Sequence, residues 1–129
     1  MDLQAHVTID AGAAAFAPGM PIAGRYRLQA MSAWKAEYVN ACLEWYTEGR
    51  GDQDRAIAVT HFLFLNEAEV PASVSGAFTM MAPALPWSYA GTLIKLNWTL
   101  ALYAKPVGRG VVAAYQDFVL HPGYATGQA

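Results

Sequence analysis

The chain has 129 residues, of which 55% are hydrophobic and 14% are charged, and its formal net charge is -2. This length fits one domain with a sizeable core, and the composition excludes a solvated, disordered chain. The near-neutral charge offers no basic face for the phosphates of a nucleic acid.

In the first half of the chain, apolar residues alternate with polar ones, which is typical of strands with one buried face. Val7 and Ile9 predict a short first strand, and the alanine-rich residues 11–15 are interpreted as a connection. The second strand should carry Arg25 and Arg27 on its outer face and, on its inner face, Ile22, Gly24, Tyr26 and Leu28. The third should turn Asn40 and Glu44 to one side and, to the other, Val39, Ala41, Leu43 and Trp45.

The second half of the chain continues this pattern, with strands predicted over residues 55–65, 75–80 and 111–120. The clearest alternation places five large side chains on one face, namely Ile94, Leu96, Trp98, Leu100 and Leu102. Turn residues separate the segments at Pro18-Gly19, Gly49-Arg50-Gly51-Asp52, Pro83 with Pro86, and Pro106 with Gly108. About seven strands with such turns predict an all-β sandwich, here over residues 1–123, followed by a flexible tail at residues 124–129.

Three blocks of sequence occur in an order and spacing that point to one family. They are residues 16–28 with their Pro18-Gly19 turn, residues 43–52, and residues 78–98, where a proline-flanked Ser88-Tyr89-x-Gly91 element leads to Trp98. Together the blocks resemble the arrestin-like domain family, in particular its single-domain prokaryotic members. The resemblance implies an immunoglobulin-like sandwich, one arrestin half, that serves as a scaffold or adaptor. Full arrestins carry two such sandwiches, so no residue here is matched to receptor or phosphate binding.

The leading hypothesis is a non-enzymatic protein–protein interaction module that binds through an edge strand or through the loops at one end. The high apolar fraction favours a homodimer or a hetero-complex, with the protein partner unidentified and with no nucleic acid and no membrane span. The chain shows no secretory signal pattern, so a cytoplasmic location is expected.

Six residues are candidates for partner binding. Trp87 and Tyr89 lie on a stiff loop, where aromatic side chains form interaction hot spots, although for Tyr89 the preferred interpretation is packing over the end of the core. Arg50 and Asp52 form an adhesion tripeptide with Gly51, although a hairpin turn explains the same residues. The outward Arg25 and Arg27 fit either a solvated strand face or an acidic partner.

Catalysis, cofactors and metals are not expected. The histidines His6, His61 and His121 lack the spacing of a metal site, and Cys42 reads as a small apolar side chain on a strand. Asp52 and Asp54, near Glu48, offer too few oxygens for Ca²⁺.

Two alternatives remain open. One is a small-ligand or carbohydrate-binding sandwich, in which Trp87, Tyr89 and Tyr46 form a stacking platform. The other, with less support, is a hydrolase, which would need a histidine beside a carboxylate in a pocket.

Overall fold

The computed structural model describes residues 2–10, 15–49, 54–83, 89–90 and 94–120, with side chains except at 89–90 and 94–95. These residues form nine strands and no α-helix. The strands are β1 (Gln4–Ile9), β2 (Ala15–Phe16), β3 (Pro21–Gln29), β4 (Trp34–Gly49), β5 (Arg55–Val70), β6 (Ser73–Met81), β7 (Tyr89–Ala90), β8 (Ile94–Pro106) and β9 (Val112–Leu120). No helix of the described part is long and apolar enough to cross a membrane.

The strands form two sheets. The short sheet has the order β1-β3-β6 and is antiparallel throughout. The long sheet has the order β2-β9-β8-β4-β5, and β7 pairs with the first residues of β8. Only β2 and β9 run parallel, over two residue pairs. The all-β, two-sheet architecture is therefore confirmed, whereas the expected count of about seven strands is not, because β2 and β7 add two very short ones.

The core lies between the two sheets and consists of the inward side chains predicted from the alternation. In β8, Trp98, Leu100 and Leu102 are fully buried, and Leu96 is 7% exposed. They face the fully buried Ile22 and other core members from the short sheet, among them Leu28, Phe78 and Met80. Because burying each large apolar side chain contributes about 1.5–3 kcal/mol, this layer supplies most of the driving force for folding.

The Phe78 ring leaves no room for a side chain at Gly24, on the inner face of β3. A Cβ atom at this position would lie 2.8 Å from the ring of Phe78 and 3.1 Å from Leu100 Cδ2. The Phe78 ring therefore occupies the space that a side chain at residue 24 would need. The alternation predicted that Gly24 faces inward, and this packing explains why a glycine is suited to that position.

One strand bound differs from the prediction because of a backbone irregularity. The strand predicted to end at Leu65 continues as β5 to Val70, since Asn66 and Glu67 adopt φ values of 59° and 60° and pairing with β4 resumes after them. These two left-handed residues form a bulge within the strand and do not end it. The third strand also begins earlier than Val39, at Trp34.

The turns expected at Pro18-Gly19 and Pro106–Gly108 are confirmed, and both glycines have positive φ. Several other predictions lie wholly or partly outside the described residues. These are the connection at 11–14, the turn residues 50–52, the proline-flanked residues 84–88, and the tail with its boundary at residue 123.

We predict that Trp98→Ala lowers the free energy of unfolding by about 3–5 kcal/mol, because it leaves a cavity between the sheets. Urea unfolding followed by circular dichroism measures this change. As a control, Met31→Ala, at a side chain that is 85% exposed, should change stability by less than about 0.5 kcal/mol. A Trp98→Ala melting temperature within a degree or two of the wild type would contradict the assigned core.

Candidate functional site

The predicted partner-binding residues Arg25 and Arg27 lie together on the outer face of the short sheet. Arg25 Nε donates to Asp10 Oδ1 at 3.0 Å, and the Arg25 side chain is 70% exposed. Both arginines line a shallow groove of about 370 Å³ with His6. Their outward orientation is confirmed, while an acidic partner stays a prediction.

The side chains of the other four predicted partner-binding residues lie outside the described part of the chain. Trp87, Arg50 and Asp52 lie outside the described residues. Tyr89 is described through its backbone only, which pairs with Leu96 in the short ladder between β7 and β8. The loop predicted as an aromatic platform therefore stays a prediction.

The histidines and Cys42 behave as ordinary structural residues where they are described. His6 and His61 are exposed on β1 and β5, and the His61 ring stacks on Phe78 at 6.2 Å between centroids. Cys42 is 2% exposed, and burial raises the pKa of its thiol. Within the described ranges, no group of three or more potential ligands among His, Cys, Asp and Glu could hold a metal ion.

The strongest candidate site lies on the outer face of the long sheet, where sequence reasoning did not place one. Glu44 in β4 and Thr99 in β8 point away from the core, yet each is only 1% exposed. Register places them opposite each other, and Thr99 is in turn opposite Asp117 in β9. Since neighbouring strands lie about 4.8 Å apart, the three side chains form a polar row across three strands. We call Glu44, Thr99 and Asp117 the polar row.

Arg55, from the first residue of β5, lies over the polar row. Its Nη2 and Nε atoms both contact Glu44 Oε1, at 2.8 and 3.0 Å. Its guanidinium carbon lies 5.5 Å from the ring centroid of Tyr46 and 5.6 Å from that of Tyr115. Tyrosine rings attract cations at these distances, so Arg55 is held by one carboxylate oxygen and two aromatic rings.

Tyrosines complete the surroundings of the polar row. Tyr46 Oη donates to Asp117 Oδ2 at 3.1 Å, and the rings of Tyr103 and Tyr115 meet edge to face at 6.1 Å. Burial, followed by Glu44 and Tyr115, raises the pKa of the Tyr103 hydroxyl. The arrangement concentrates carboxylates, hydroxyls and aromatic faces on one side of the sheet.

Several polar atoms on this face are buried without a partner among the described residues. They are Glu44 Oε2, Thr99 Oγ1 and Asn40 Oδ1, whereas the fourth such atom, Trp34 Nε1, belongs to a core residue. The Tyr103 hydroxyl lies close enough to the Glu44 carboxylate for its pKa to be raised by it. Even so, Glu44 Oε2 accepts no hydrogen bond of normal geometry. A buried polar atom without a partner is costly, so the clustering of three on one face marks the face as unusual.

Two open grooves lie on this face on either side of Arg55. One, of about 350 Å³, is lined by Tyr46, Thr99, Tyr115 and Asp117 together with Arg55. The other, of about 450 Å³, is lined by Glu44, Tyr103 and Ile57 and again by Arg55. Arg55 thus lies between two grooves, one of which contains Thr99 and Asp117 of the polar row and the other Glu44.

The sequence did contain a signal for this face. Period-two alternation in β4 and β8 puts Glu44 on the same face as Asn40 and Tyr46, and Thr99 on the same face as Tyr103. Polar residues on the outer face of a strand are usually exposed. The predicted outward orientation of Glu44 is correct, yet the side chain is buried, because tyrosines and Arg55 cover it.

Comparison with known proteins shows a likeness in fold to a solved structure. No family model matches the chain, and no curated protein matches it. The fold is similar to that in a crystal structure of Spo0M, a sporulation control protein from Bacillus subtilis, with a TM-score of 0.73 and 10% sequence identity. At that identity the likeness shows the fold alone. Spo0M has an arrestin-like fold, so the expected architecture is supported at this level. The match covers 92% of this chain and 49% of that chain, so this chain spans about half the length of Spo0M.

We predict that Arg55→Met destabilises the protein by about 2–4 kcal/mol, because it leaves the buried Glu44 carboxylate without its counter-charge. Adding Glu44→Gln to that variant should recover most of the loss, since a neutral amide needs no counter-charge. Urea unfolding of the two single variants and the double variant measures the coupling. Strictly additive effects would contradict the ion pair.

We also predict that Tyr103 ionises above the ordinary tyrosine range of about pH 10. Because its pKa is raised in the folded protein, Tyr103 contributes stability that is present below pH 10 and is lost as the pH rises further. In an ultraviolet titration, Tyr103→Phe should remove an ionisation step that lies above the range seen for the protein in urea. Loss of a step at the ordinary position would contradict the prediction.

Proposed function

We propose that the chain is a non-enzymatic protein–protein interaction module, an immunoglobulin-like sandwich equivalent to one arrestin half, that binds by adding a strand to β5. The observation that carries the proposal is the position of β5. It is a 16-residue strand at the end of the long sheet, and no described strand pairs with its other edge.

The composition of β5 suits strand addition. Natural edge strands are usually protected by short length, by proline or by lysine, because their unpaired backbone groups invite pairing. Between Ala56 and Leu65 this strand has no proline and no charged residue. Ile57, Phe62 and Leu65 are 56%, 58% and 42% exposed. An added strand would gain backbone hydrogen bonds along β5 and apolar contacts with these side chains.

The likeness to Spo0M supports a regulatory role over a catalytic one, because that protein is described as a sporulation control protein. We propose a cytoplasmic partner that presents an extended segment, either another protein or a second copy of this chain. A second copy would pair β5 with β5 about a two-fold axis and join the two long sheets into one.

A second candidate function is the binding of a small ligand or a carbohydrate on the outer face of the long sheet. The observation in its favour is the group of tyrosines around the polar row, with Tyr115 52% exposed. Strand addition is preferred as the main function because β5 offers a 16-residue edge with three exposed apolar side chains. The two grooves are open and are lined largely by polar residues.

The test is the solution mass by light scattering over a concentration series, with two variants of equal charge. Phe62→Lys/Leu65→Lys places two cations on β5, whereas Met31→Lys/Val107→Lys places two at exposed positions outside it. We expect the wild type and the second variant to associate with rising concentration, and the first variant to stay monomeric.

Equal association of both variants would place the contact elsewhere and contradict the proposal. If the wild type is monomeric throughout, the partner is another protein. The same two variants then test whether that partner binds at β5. In the complex, strand addition must protect the β5 amides at the free edge from hydrogen exchange.

A further inference from the structure

Buried acceptor atoms on the outer face of the long sheet lack a hydrogen-bond donor among the described residues. Glu44 Oε2 and Thr99 Oγ1 are unpartnered, and Asp117 Oδ2 receives one bond from Tyr46. Glu44 and Asp117 carry two formal negative charges, and Arg55 supplies one positive charge against them. A ligand that pairs with the buried acceptors therefore brings hydrogen-bond donors, and the excess of one negative charge favours a cation.

Arg55 shows which chemistry the site accepts. Its guanidinium group lies between the rings of Tyr46 and Tyr115 and contacts the Glu44 carboxylate. However, both of its contacts go to Oε1, whereas a two-pronged arginine–carboxylate pair would use both oxygens. The Arg55 side chain is 49% exposed, so it can turn into solvent and uncover the carboxylate.

The polar row gives the site a defined length. Glu44, Thr99 and Asp117 occupy directly paired positions on β4, β8 and β9. Their spacing of about 4.8 Å per strand places a carboxylate at each end and a hydroxyl in the middle. The faces of Tyr103 and Tyr115 border the row, and tyrosine faces attract cations more strongly when water is excluded.

We propose that this face binds a guanidinium or alkylammonium group, which donates hydrogen bonds to Glu44 Oε2 and Thr99 Oγ1 and takes the place that Arg55 now occupies. The group comes either from a small free amine or from an arginine or lysine side chain. The inference does not rest on strand addition at β5, because the polar row lies on β4, β8 and β9.

The experiment is a titration of the isotope-labelled protein, followed by its amide NMR shifts. The probes are Nα-acetyl-arginine amide, Nα-acetyl-lysine amide and the neutral isostere Nα-acetyl-citrulline amide. We expect saturable shifts around the polar row for the two cations, and binding of the citrulline compound at least about tenfold weaker. A short peptide with a central arginine is the second arm. Tighter binding of the peptide than of the free amide identifies a protein segment as the source, and equal binding identifies a small amine.

Variants separate this proposal from a purely structural role of the same residues. Glu44→Gln should weaken binding at least about tenfold, since it removes a charge-assisted hydrogen bond. Thr99→Val should weaken binding several-fold without lowering the melting temperature, because Thr99 Oγ1 has no partner to lose. Arg55→Ala should tighten binding, because it removes the competing cation. Asp10→Asn, on the other sheet, should bind like the wild type.

Three results would overturn the proposal. They are an absence of saturable shifts up to about 20 mM of either cation, equal binding of the citrulline compound, and loss of binding in Arg55→Ala when its melting curve shows a folded protein. If Glu44→Gln does not fold, Thr99→Val decides. The Phe62→Lys/Leu65→Lys variant should bind the cations normally, so a failure of strand addition and a failure of cation binding remain distinguishable.

Discussion

The structure depends on the antiparallel pairing of β4 with β8 at the centre of the long sheet. These two strands are buried on both faces over their middle, which is unusual for an antiparallel sheet that could leave one face to solvent. Trp98 and Leu43 fill the space between the sheets, while Glu44 and Thr99 are covered on the opposite side. The same backbone pairs therefore support the core and position the polar row, so that the core holds the site rigidly.

Burial at the centre of the sheet has a consequence at its edge. The long sheet has β5 outside β4, and the short sheet reaches it through few contacts near β6. β5 is held by its ladder with β4 and by the contacts of Val59, Phe64 and Val70 with the core, while its other edge pairs with no described strand. The register of β5 against β4 shifts at three places, one of them at Asn66 and Glu67, and the longest regular stretch runs from Val59 to Phe62. An added strand would therefore pair most regularly over that stretch.

Alternation along the sequence predicted correctly which side chains of β3, β4 and β8 face the core, because a strand with one apolar face must turn that face inward. It could not predict β2 or the extension of β5, since both depend on which backbone lies beside them and not on local pattern. It also could not predict the burial of Glu44. A glutamate in a strand is normally solvated, and only the meeting of Tyr46, Tyr103, Tyr115 and Arg55 from four strands covers it. Aromatic residues of a proline-flanked loop, such as Trp87 and Tyr89, can be recognised in the sequence itself, whereas contacts between distant strands cannot.

The ion pair of Glu44 and Arg55 is hard to explain by stability alone. Burying a carboxylate has a desolvation penalty of several kcal/mol, and well-packed apolar residues of similar volume would stabilise such a position equally or better. Leaving Oε2 and the Thr99 hydroxyl without partners adds to that penalty. The outer face of the long sheet has unpartnered acceptors on a rigid sheet, and the half-exposed Arg55 guanidinium lies over them. This arrangement suits the replacement of Arg55 by another cation better than it suits stabilisation of the fold. Glu44 and Thr99, whose burial is not explained by stability, are thus the residues through which the protein can recognise a ligand.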